Sequence, residues 1–228
     1  MCGRFTQKSE RKIIAEEFYV QRFLEEPVIS YNIAPSQKAG IIIKKENENI
    51  YDRYRWGLIP SWAKDQSVGN KMINARAETL LTKVSFKKPF LSKRCIVPVD
   101  GFFEWKKDGK YKKPYYIFHS SGRPFALAGL WDQWINPENE DESIRSFTIV
   151  TVDSSGLLKD IHDRIPAVIS KADIDEWLDV SECSSEHISR LKRILFEDHV
   201  NELGFYEVSQ IVNSPANNNP ECIEPILR

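Results

Sequence analysis

Short strand-forming segments outnumber helical ones along this chain and do not alternate with them, which limits its possible folds more than any other feature. Strands are predicted at 39–44, 50–56, 93–98, 124–130, 145–151 and 167–170. Two more, at 102–107 and 115–119, flank a turn containing Asp108 and Gly109, a pattern typical of a β-hairpin. A doubly wound fold would require regular alternation of strands and helices. We therefore predict an α+β fold, a single domain over residues 1–228 built on mainly antiparallel, barrel-like β-sheet with flanking helices.

Helical patterns are confined to a few segments, at 9–24, 154–160, 172–178 and 185–196. In the first segment Ile14 and Phe18 lie four residues apart, as on one face of an amphipathic helix. Ser170 and Asp173 have the spacing of a capping signal for the third. Two polar stretches, 136–143 and 213–220, are predicted to be exposed loops.

Composition excludes several classes of protein. No apolar run approaches the roughly 20 residues of a membrane span, and the start of the chain lacks the apolar core of a signal peptide. The cysteines show no spacing typical of a structural zinc site; they are Cys2, Cys95, Cys183 and Cys222. These features predict a reduced, cytoplasmic protein without structural zinc, associated with the nucleoid if the source is bacterial.

Charge is divided unevenly along the chain although the net charge is only −1. Residues 1–120 contain 23 Lys and Arg against 13 Asp and Glu, whereas residues 121–228 contain 9 against 20. Such a division is compatible with a basic face that binds a polyanion. It is equally compatible with two halves that interleave in space, so charge alone leaves both interpretations open.

Cys2 stands directly after the initiator methionine, and we expect Met1 to be removed because a small residue follows it. The new terminus would carry an amine and a thiol on adjacent carbons, which can capture an aldehyde first as a Schiff base and then as a thiazolidine ring. An α-amine titrates near ~7.7–8.0 and a lysine near ~10.4, so at neutral pH the terminus has about 300 times more free base. The alternatives are an acyl-transfer nucleophile and an accidental cysteine in a frayed terminus.

Two segments carry polar groups suited to such chemistry. In 74–78 the Asn74 amide could orient a sugar oxygen and Arg76 could bind a phosphate, or Asn74 could cap a helix with Arg76 in solvent. In 101–105, Glu104 lies among aromatic residues, where desolvation would raise its pKa into the range of general acid–base catalysis. The alternative is an edge strand that exposes Glu104.

A histidine and a tryptophan complete the candidates. His162 lies between acidic residues and before a proline, where it could carry protons near neutral pH or be structural. Trp62 follows Pro60 and Ser61 and is predicted to face solvent, where its ring could stack on an unpaired base. Trp56 is predicted to pack in the core.

Six segments in this order resemble the SOS response-associated peptidase family, whose members process abasic sites and crosslink to DNA. They are MCGR at 1–4, YNIAP at 31–35, WGLIP at 56–60, INARAE at 73–78, GFFEW at 101–105 and IHDRIP at 161–166. The resemblance extends to 208–213 and so covers nearly the whole chain. Any one motif would be weak, but six in order, beginning with cysteine at position 2, are specific.

The resemblance implies a function and a role for each residue. Cys2 would form a thiazolidine with the ring-opened abasic deoxyribose of single-stranded DNA, shielding the lesion. Asn74 would hold the sugar, Glu104 would assist Schiff-base formation, and His162 would help open the ring and contact a phosphate. The DNA backbone would be bound by Arg4, Arg76 and Arg164.

The same resemblance implies no metal or organic cofactor and no need for a second subunit, so we expect a monomer. Minor lyase activity and self-removal of Met1 are further expectations. One departure concerns an arginine that family members often carry where this chain has Val84, a place that Lys83 or Lys87 could fill. Two other functions remain open: a cysteine peptidase with an N-terminal nucleophile, and a non-covalent single-stranded DNA-binding module.

Overall fold

Apolar and β-branched segments form strands throughout the chain, and the helices are few and short. The computed structural model describes residues 2–226. Its strands are β1 (Arg4–Gln7), β2 (Val20–Phe23), β3 (Ser30–Ile33), β4 (Lys38–Lys45), β5 (Glu48–Trp56), β6 (Asn74–Arg76), β7 (Arg94–Val99), β8 (Gly101–Asp108), β9 (Tyr111–His119), β10 (Phe125–Asn136), β11 (Asn139–Asp153), β12 (Arg164–Pro166), β13 (Val168–Ile169) and β14 (Leu203–Glu207). Its α-helices are α1 (Arg11–Phe18), α2 (Val84–Ser92), α3 (Ile174–Leu178) and α4 (Ser185–Phe196).

A closed barrel forms the centre of the protein. Strands β11, β10, β7, β4 and β5 pair antiparallel in that order, and a parallel pairing of β5 with β11 closes the ring. The barrel is filled by buried apolar side chains such as Ile41, Ile96 and Phe147. Closure leaves no exposed strand edge in this part of the sheet.

A second sheet, in the order β14-β9-β8-β1-β3, brings the start of the chain against the barrel. Its strand β1 pairs antiparallel with β8, so that Arg4 lies opposite Phe103. The next residue, Phe5, packs its ring against barrel residue Trp56 with 4.8 Å between centroids. This packing fixes β1 and thereby places Cys2 beside the part of β8 that follows Phe103.

Two short strands flank the carboxyl end of β11. On one side β6 pairs parallel with β11, with Asn74 opposite Ile149. On the other side β12 pairs antiparallel, with Arg164 opposite Asp153. The segments predicted to carry Asn74 and His162 therefore meet around one strand end, although 88 positions separate these two residues.

The first helix is half as long as the sequence predicts. A helix over 9–24 is wrong because α1 ends at Phe18, and Tyr19 adopts a left-handed backbone with φ of 52° and bonds back to Ala15. The chain then turns into β2, which pairs parallel with β5. Sheet pairing thus overrides the helical pattern of the second half of this segment.

The predicted loop at 136–143 is also wrong in its conformation. These residues are mostly exposed, but they continue β10 and β11 into a hairpin in which Asn136 pairs with Asn139. The reason is that the two longest strands keep pairing beyond the part that covers the core. The segment at 213–220 is largely exposed, as predicted.

The remaining helix predictions are confirmed in part. Helix α4 has the predicted bounds, and Ser170 accepts the predicted capping bond from the Asp173 amide. The helix predicted at 154–160 is a 3₁₀ helix over Gly156–Asp160, and the one at 172–178 begins as a 3₁₀ turn before α3. Helix α2, which contains Pro89, is not among the predicted helices.

The fold class is confirmed: an α+β domain of mainly antiparallel, barrel-like sheet with flanking helices. Its extension over all 228 residues stays a prediction. Within residues 2–226, helices with the length and apolarity for crossing a membrane are absent.

Candidate active site

Cys2 is fully buried two residues before β1, and Met1, whose removal is predicted, lies outside the described residues. Its carbonyl oxygen accepts a 2.8 Å hydrogen bond from Asn74 Nδ2, and its thiol donates a weak one of 3.6 Å to the Arg4 carbonyl. Burial raises the pKa of the Cys2 thiol well above its usual range, and the negative charge of nearby Glu104 adds to this effect. The thiol is therefore protonated at neutral pH.

Asn74 is held in place by the barrel. The preceding carbonyl, that of Ile73, accepts hydrogen bonds from Trp56 Nε1 at 2.9 Å and from the Ile149 amide at 3.1 Å. The Asn74 side chain donates one amide hydrogen to the Cys2 carbonyl, while its buried Oδ1 has no hydrogen-bond partner among residues 2–226. Leaving such an acceptor unsatisfied costs roughly 1–3 kcal/mol, so the site is built to favour a donor placed there.

Glu104 is buried on β8, with 2% of its surface exposed. Because β8 lies between β1 and β9, the alternative of an exposed edge strand is wrong. Burial raises the pKa of the Glu104 carboxyl to about 7. At neutral pH the carboxyl can thus both donate and accept a proton, which is the property required of a general acid–base residue.

The pH dependence of stability should report this raised pKa. Folded Glu104 binds a proton more tightly than the unfolded chain, so its contribution to the free energy of unfolding falls as pH rises from about 4.5 to about 7. The total change is roughly 3 kcal/mol. A Glu104→Gln variant cannot ionise there, so urea unfolding at about pH 4 and about pH 8 should show it gaining roughly that much relative to wild type. Parallel pH profiles would contradict the raised pKa.

His162 lies in the turn between the 3₁₀ helix at 156–160 and β12. Its Nδ1 accepts a 3.0 Å hydrogen bond from the Arg164 amide, so the neutral ring carries its proton on Nε2. Burial lowers the pKa of His162, and the positive charge of Lys107 contributes in the same direction. The ring is thus mainly neutral at pH 7 and able to accept a proton.

The three predicted DNA-binding arginines differ in their surroundings. Arg76 is exposed at the end of β6. Arg164 is bound by both oxygens of Glu78 and by Asp153, at 2.7–3.1 Å, and a phosphate would have to compete with these carboxylates. Arg4 is half-buried, and its Nε has no hydrogen-bond partner in the described part of the chain. Binding of DNA by each arginine stays a prediction.

Hydrogen bonds that the sequence does not predict connect Arg4 to the C-terminal segment around Asn213. Asn213 accepts hydrogen bonds from Arg4 Nη2 through its carbonyl and from Trp105 Nε1 through its side chain, at 3.2 and 2.8 Å. Asn32 Nδ2 holds the same segment by donating to the carbonyls of Val212, Ser214 and Asn217. Asn32 therefore positions both Arg4 and Trp105. These contacts join residues 108 to 209 positions apart, so no local spacing signals them.

Trp62 is exposed and Trp56 is buried, as predicted, with 59% and 0% of their surfaces accessible. The loop that carries Trp62 is fixed on both sides. Asp132 accepts a 2.8 Å hydrogen bond from the Ser61 amide, and Trp134 Nε1 donates one of 2.7 Å to the Ala63 carbonyl. A ring presented on a rigid loop loses little entropy when a base stacks on it.

The position of the arginine expected by resemblance is occupied by exposed Val84, the first residue of α2. Lys83 and Lys87 are exposed on either side of it. Their contact with a phosphate stays a prediction. Within residues 2–226, groups of His, Cys, Asp and Glu arranged to hold a metal ion are absent.

Comparison with known sequences gives a consistent result. The sequence model of the family described as "SOS response associated peptidase (SRAP)" matches residues 1–215. Abasic site processing protein YoqW of Bacillus subtilis is 45% identical, over 98% of this chain and 99% of its own length. Abasic site processing protein HMCES of Gallus gallus is 32% identical, over 86% of this chain and 66% of its own length.

Solved structures agree with the fold. A Bacteroides thetaiotaomicron protein known from an X-ray crystal structure superposes with a TM-score of 0.84 at 27% identity, covering 99% of this chain and all of that one. A phage-related protein from Bordetella bronchiseptica gives a TM-score of 0.70 at 29% identity, covering 92% and 95% of the two chains.

Proposed function

The chain belongs to the SOS response-associated peptidase family, and we propose that it captures abasic sites in single-stranded DNA as a covalent thiazolidine formed by Cys2 after Met1 is removed. Relatives named abasic site processing proteins support the coarser function of processing such lesions. The observation that carries the finer proposal is the arrangement of Cys2, held by Asn74, beside a buried carboxyl with a pKa of about 7.

The reaction balances without an oxidant or reductant. The amine of Cys2 attacks the C1′ aldehyde of the opened deoxyribose to give a carbinolamine. Protonated Glu104 donates a proton to the departing hydroxyl, and water leaves as the protonated Schiff base forms. The thiol then adds to the same carbon while its proton passes to Glu104, which restores the acid. The net change is two new bonds to C1′ and the release of one water molecule.

The order of these two additions follows from the titration of the groups. The pKa of the Cys2 thiol is raised by burial, so little thiolate exists to attack first. An α-amine has an ordinary pKa near ~7.7–8.0 and is partly free base at neutral pH. Nitrogen therefore attacks before sulfur, and the thiol adds afterwards because the iminium carbon beside it is a strong electrophile and ionised Glu104 takes its proton.

The surrounding residues support this chemistry in distinct ways. Neutral His162 can take the hydroxyl proton that must leave when the closed sugar opens. The unsatisfied Oδ1 of Asn74 is an acceptor for a sugar hydroxyl. Arg4 and Arg76 supply positive charge for the flanking phosphates, and Trp62 a ring for a neighbouring base. Arg164 belongs to this set if DNA displaces one of its carboxylates.

A peptidase with Cys2 as nucleophile is the second candidate and is less favoured. Such a nucleophile requires a lowered thiol pKa, whereas both burial and Glu104 raise the pKa of Cys2. Non-covalent binding of single-stranded DNA is the third, and the exposed Trp62 suits it equally well. Minor lyase activity, self-removal of Met1, a monomeric state and a cytoplasmic location remain parts of the proposal.

A denaturing gel tests covalent capture directly. The mature protein is mixed with single-stranded DNA containing one abasic site, and a band that resists heat is expected. DNA whose aldehyde has first been reduced with borohydride is the matched control and should give no band. A heat-stable band with the reduced DNA would refute aldehyde capture, and the absence of any band with abasic DNA would leave the peptidase and non-covalent binding as the remaining candidates.

A further inference from the structure

The hairpin of β8 and β9 continues from Glu104 into a segment rich in lysine. Its lysines at 106, 107, 110, 112 and 113 form what we call the lysine hairpin, residues 106–113. Part of the positive surplus of residues 1–120 is thus concentrated on one projecting element. Exposed Tyr111 lies at its tip, with 75% of its surface accessible.

The lysine hairpin places like charges against each other. Lys106 lies opposite Lys113 and Lys107 opposite Lys112 across the two strands. Like charges in directly opposed positions destabilise a sheet. Asp108 neutralises Lys113 at 2.5 Å, but the other four lysines form no ion pair with a carboxylate of residues 2–226. The sheet therefore carries a repulsion that an anionic ligand would relieve.

The lysine hairpin begins at the candidate active site. Lys107 is three residues beyond Glu104 on β8, about 10 Å away at ~3.3 Å per residue. The charge of Lys107 also reaches His162, since it helps to lower the pKa of that histidine after burial. A polymer that passes Glu104 and His162 would thus meet the lysine hairpin next.

The lysines lie in two opposed pairs, one on each face of the hairpin. Lys106 and Lys113 share the face of Glu104 and Tyr111, and Lys107 and Lys112 lie on the other face. A single strand that crosses the hairpin can therefore place phosphates against lysines on both faces. Tyr111 shares a strand face with Glu104 through its pairing with Asp108, so its ring can receive an unpaired base from the same strand.

We propose that the lysine hairpin is a second DNA-binding site that holds the backbone of the damaged strand beyond the lesion, with Tyr111 as a stacking surface. This inference rests on the proposed function, because that function brings single-stranded DNA to Glu104. Continuity with the candidate active site favours the damaged strand over an acidic polypeptide.

The test compares two variants with the same charge change. One replaces exposed hairpin lysines with glutamine, at Lys107, Lys110 and Lys112. The control replaces exposed lysines on elements without candidate site residues, at Lys12 on α1, Lys45 at the end of β4 and Lys192 on α4. Relieving like-charge pairs should leave the hairpin variant folded, which its urea unfolding curve checks. Affinity for undamaged single-stranded DNA is then measured by fluorescence anisotropy at several salt concentrations.

If each hairpin lysine contacts one phosphate, the slope of log K against log salt becomes shallower by about 2 in the hairpin variant. The affinity advantage of wild type then shrinks roughly 20-fold between about 50 and 200 mM salt. The control variant should retain the wild-type slope. With oligonucleotides too short to extend from the candidate active site to the lysine hairpin, the hairpin variant and wild type should bind with the same affinity.

Equal salt slopes for the hairpin variant and the control variant would overturn the inference. A loss of affinity that the hairpin variant shows only with partly duplex DNA, and not with single-stranded DNA, would overturn it as well. Stronger competition by polyglutamate than by single-stranded DNA would assign the lysine hairpin to an acidic polypeptide instead. Crosslinking to abasic DNA is recorded separately. If wild type crosslinks but the hairpin variant keeps the wild-type salt slope, only the lysine hairpin site is refuted. If the hairpin variant has a changed slope but wild type does not crosslink, only the proposed function is refuted.

Discussion

A Cys2→Ala variant should lose the heat-stable adduct with abasic single-stranded DNA. The yield of adduct should fall by at least about 100-fold, the size of effect expected when a catalytic group is removed. The amine would remain, but a Schiff base without a neighbouring thiol hydrolyses on heating. Cys2→Ser should give a labile adduct and more strand cleavage, because the Schiff base persists long enough for β-elimination. Yields are measured by denaturing gel before and after heating.

The matched control for this experiment is Cys183→Ala, which removes an exposed thiol outside the site. It should crosslink like wild type. Cys2 Sγ makes one weak hydrogen bond, to Arg4, so its loss should leave the fold intact, and thermal unfolding checks this. A band of unchanged yield with Cys2→Ala would refute the role of Cys2 and point to a lysine.

A Glu104→Gln variant should slow crosslinking by about 100-fold or more while retaining affinity for undamaged DNA. Glutamine keeps the shape of the buried side chain but cannot donate the proton that the leaving hydroxyl needs. The pKa of Glu104 is raised to about 7, so its acid form disappears as pH rises through that value. The ratio of wild-type to variant rates should therefore fall between about pH 6 and about pH 9. Rates are measured with DNA at saturating concentration.

Glu138→Gln, in the exposed turn between β10 and β11, removes one carboxylate without touching the site and is the control. It should crosslink at the wild-type rate. A Glu104→Gln rate within about threefold of wild type at all pH values, well below the effect expected of a general acid, would show that Glu104 carries no proton in this reaction.

Local patterns predicted those elements that depend on local interactions. Helix α4 has its predicted bounds because its cap, Ser184, and its apolar face all lie within the segment. The predicted helix at 9–24 failed because pairing of β2 with β5, about 30 positions away, decides the conformation after Phe18. The residues at 136–143 form strand ends and the turn between them for the same reason, since pairing of β10 with β11 and not the residue type determines their conformation.

The residues of the candidate site could be predicted from the sequence, but the hydrogen bonds that join them to distant residues could not. Burial of Glu104 followed from its aromatic neighbours in sequence, and exposure of Trp62 from its turn-rich segment. The engagement of Arg164 by Glu78 depends on β6 and β12 flanking β11, which no spacing reveals. The same is true of Asn32, whose partners lie about 180 positions away and which read in sequence only as part of a motif.

The raised thiol pKa changes how Cys2 is understood. Its position after Met1 indicates an aminothiol, and its burial indicates that the thiol alone is a poor nucleophile. The amine must therefore act first, which makes removal of Met1 a condition for activity. A variant that retains a residue before Cys2 would have the thiol and lack the reactive amine.

The intact mass of the adduct tests thiazolidine formation at Cys2 most sharply. The expected mass is that of the protein without Met1, plus that of the abasic oligonucleotide, minus one water molecule, with the attachment mapped to Cys2. Brief borohydride treatment should leave this mass unchanged, because a thiazolidine has no imine to reduce. A gain of two hydrogen atoms would show a Schiff base without ring closure, and an adduct that retains Met1 would contradict capture by the amine of Cys2.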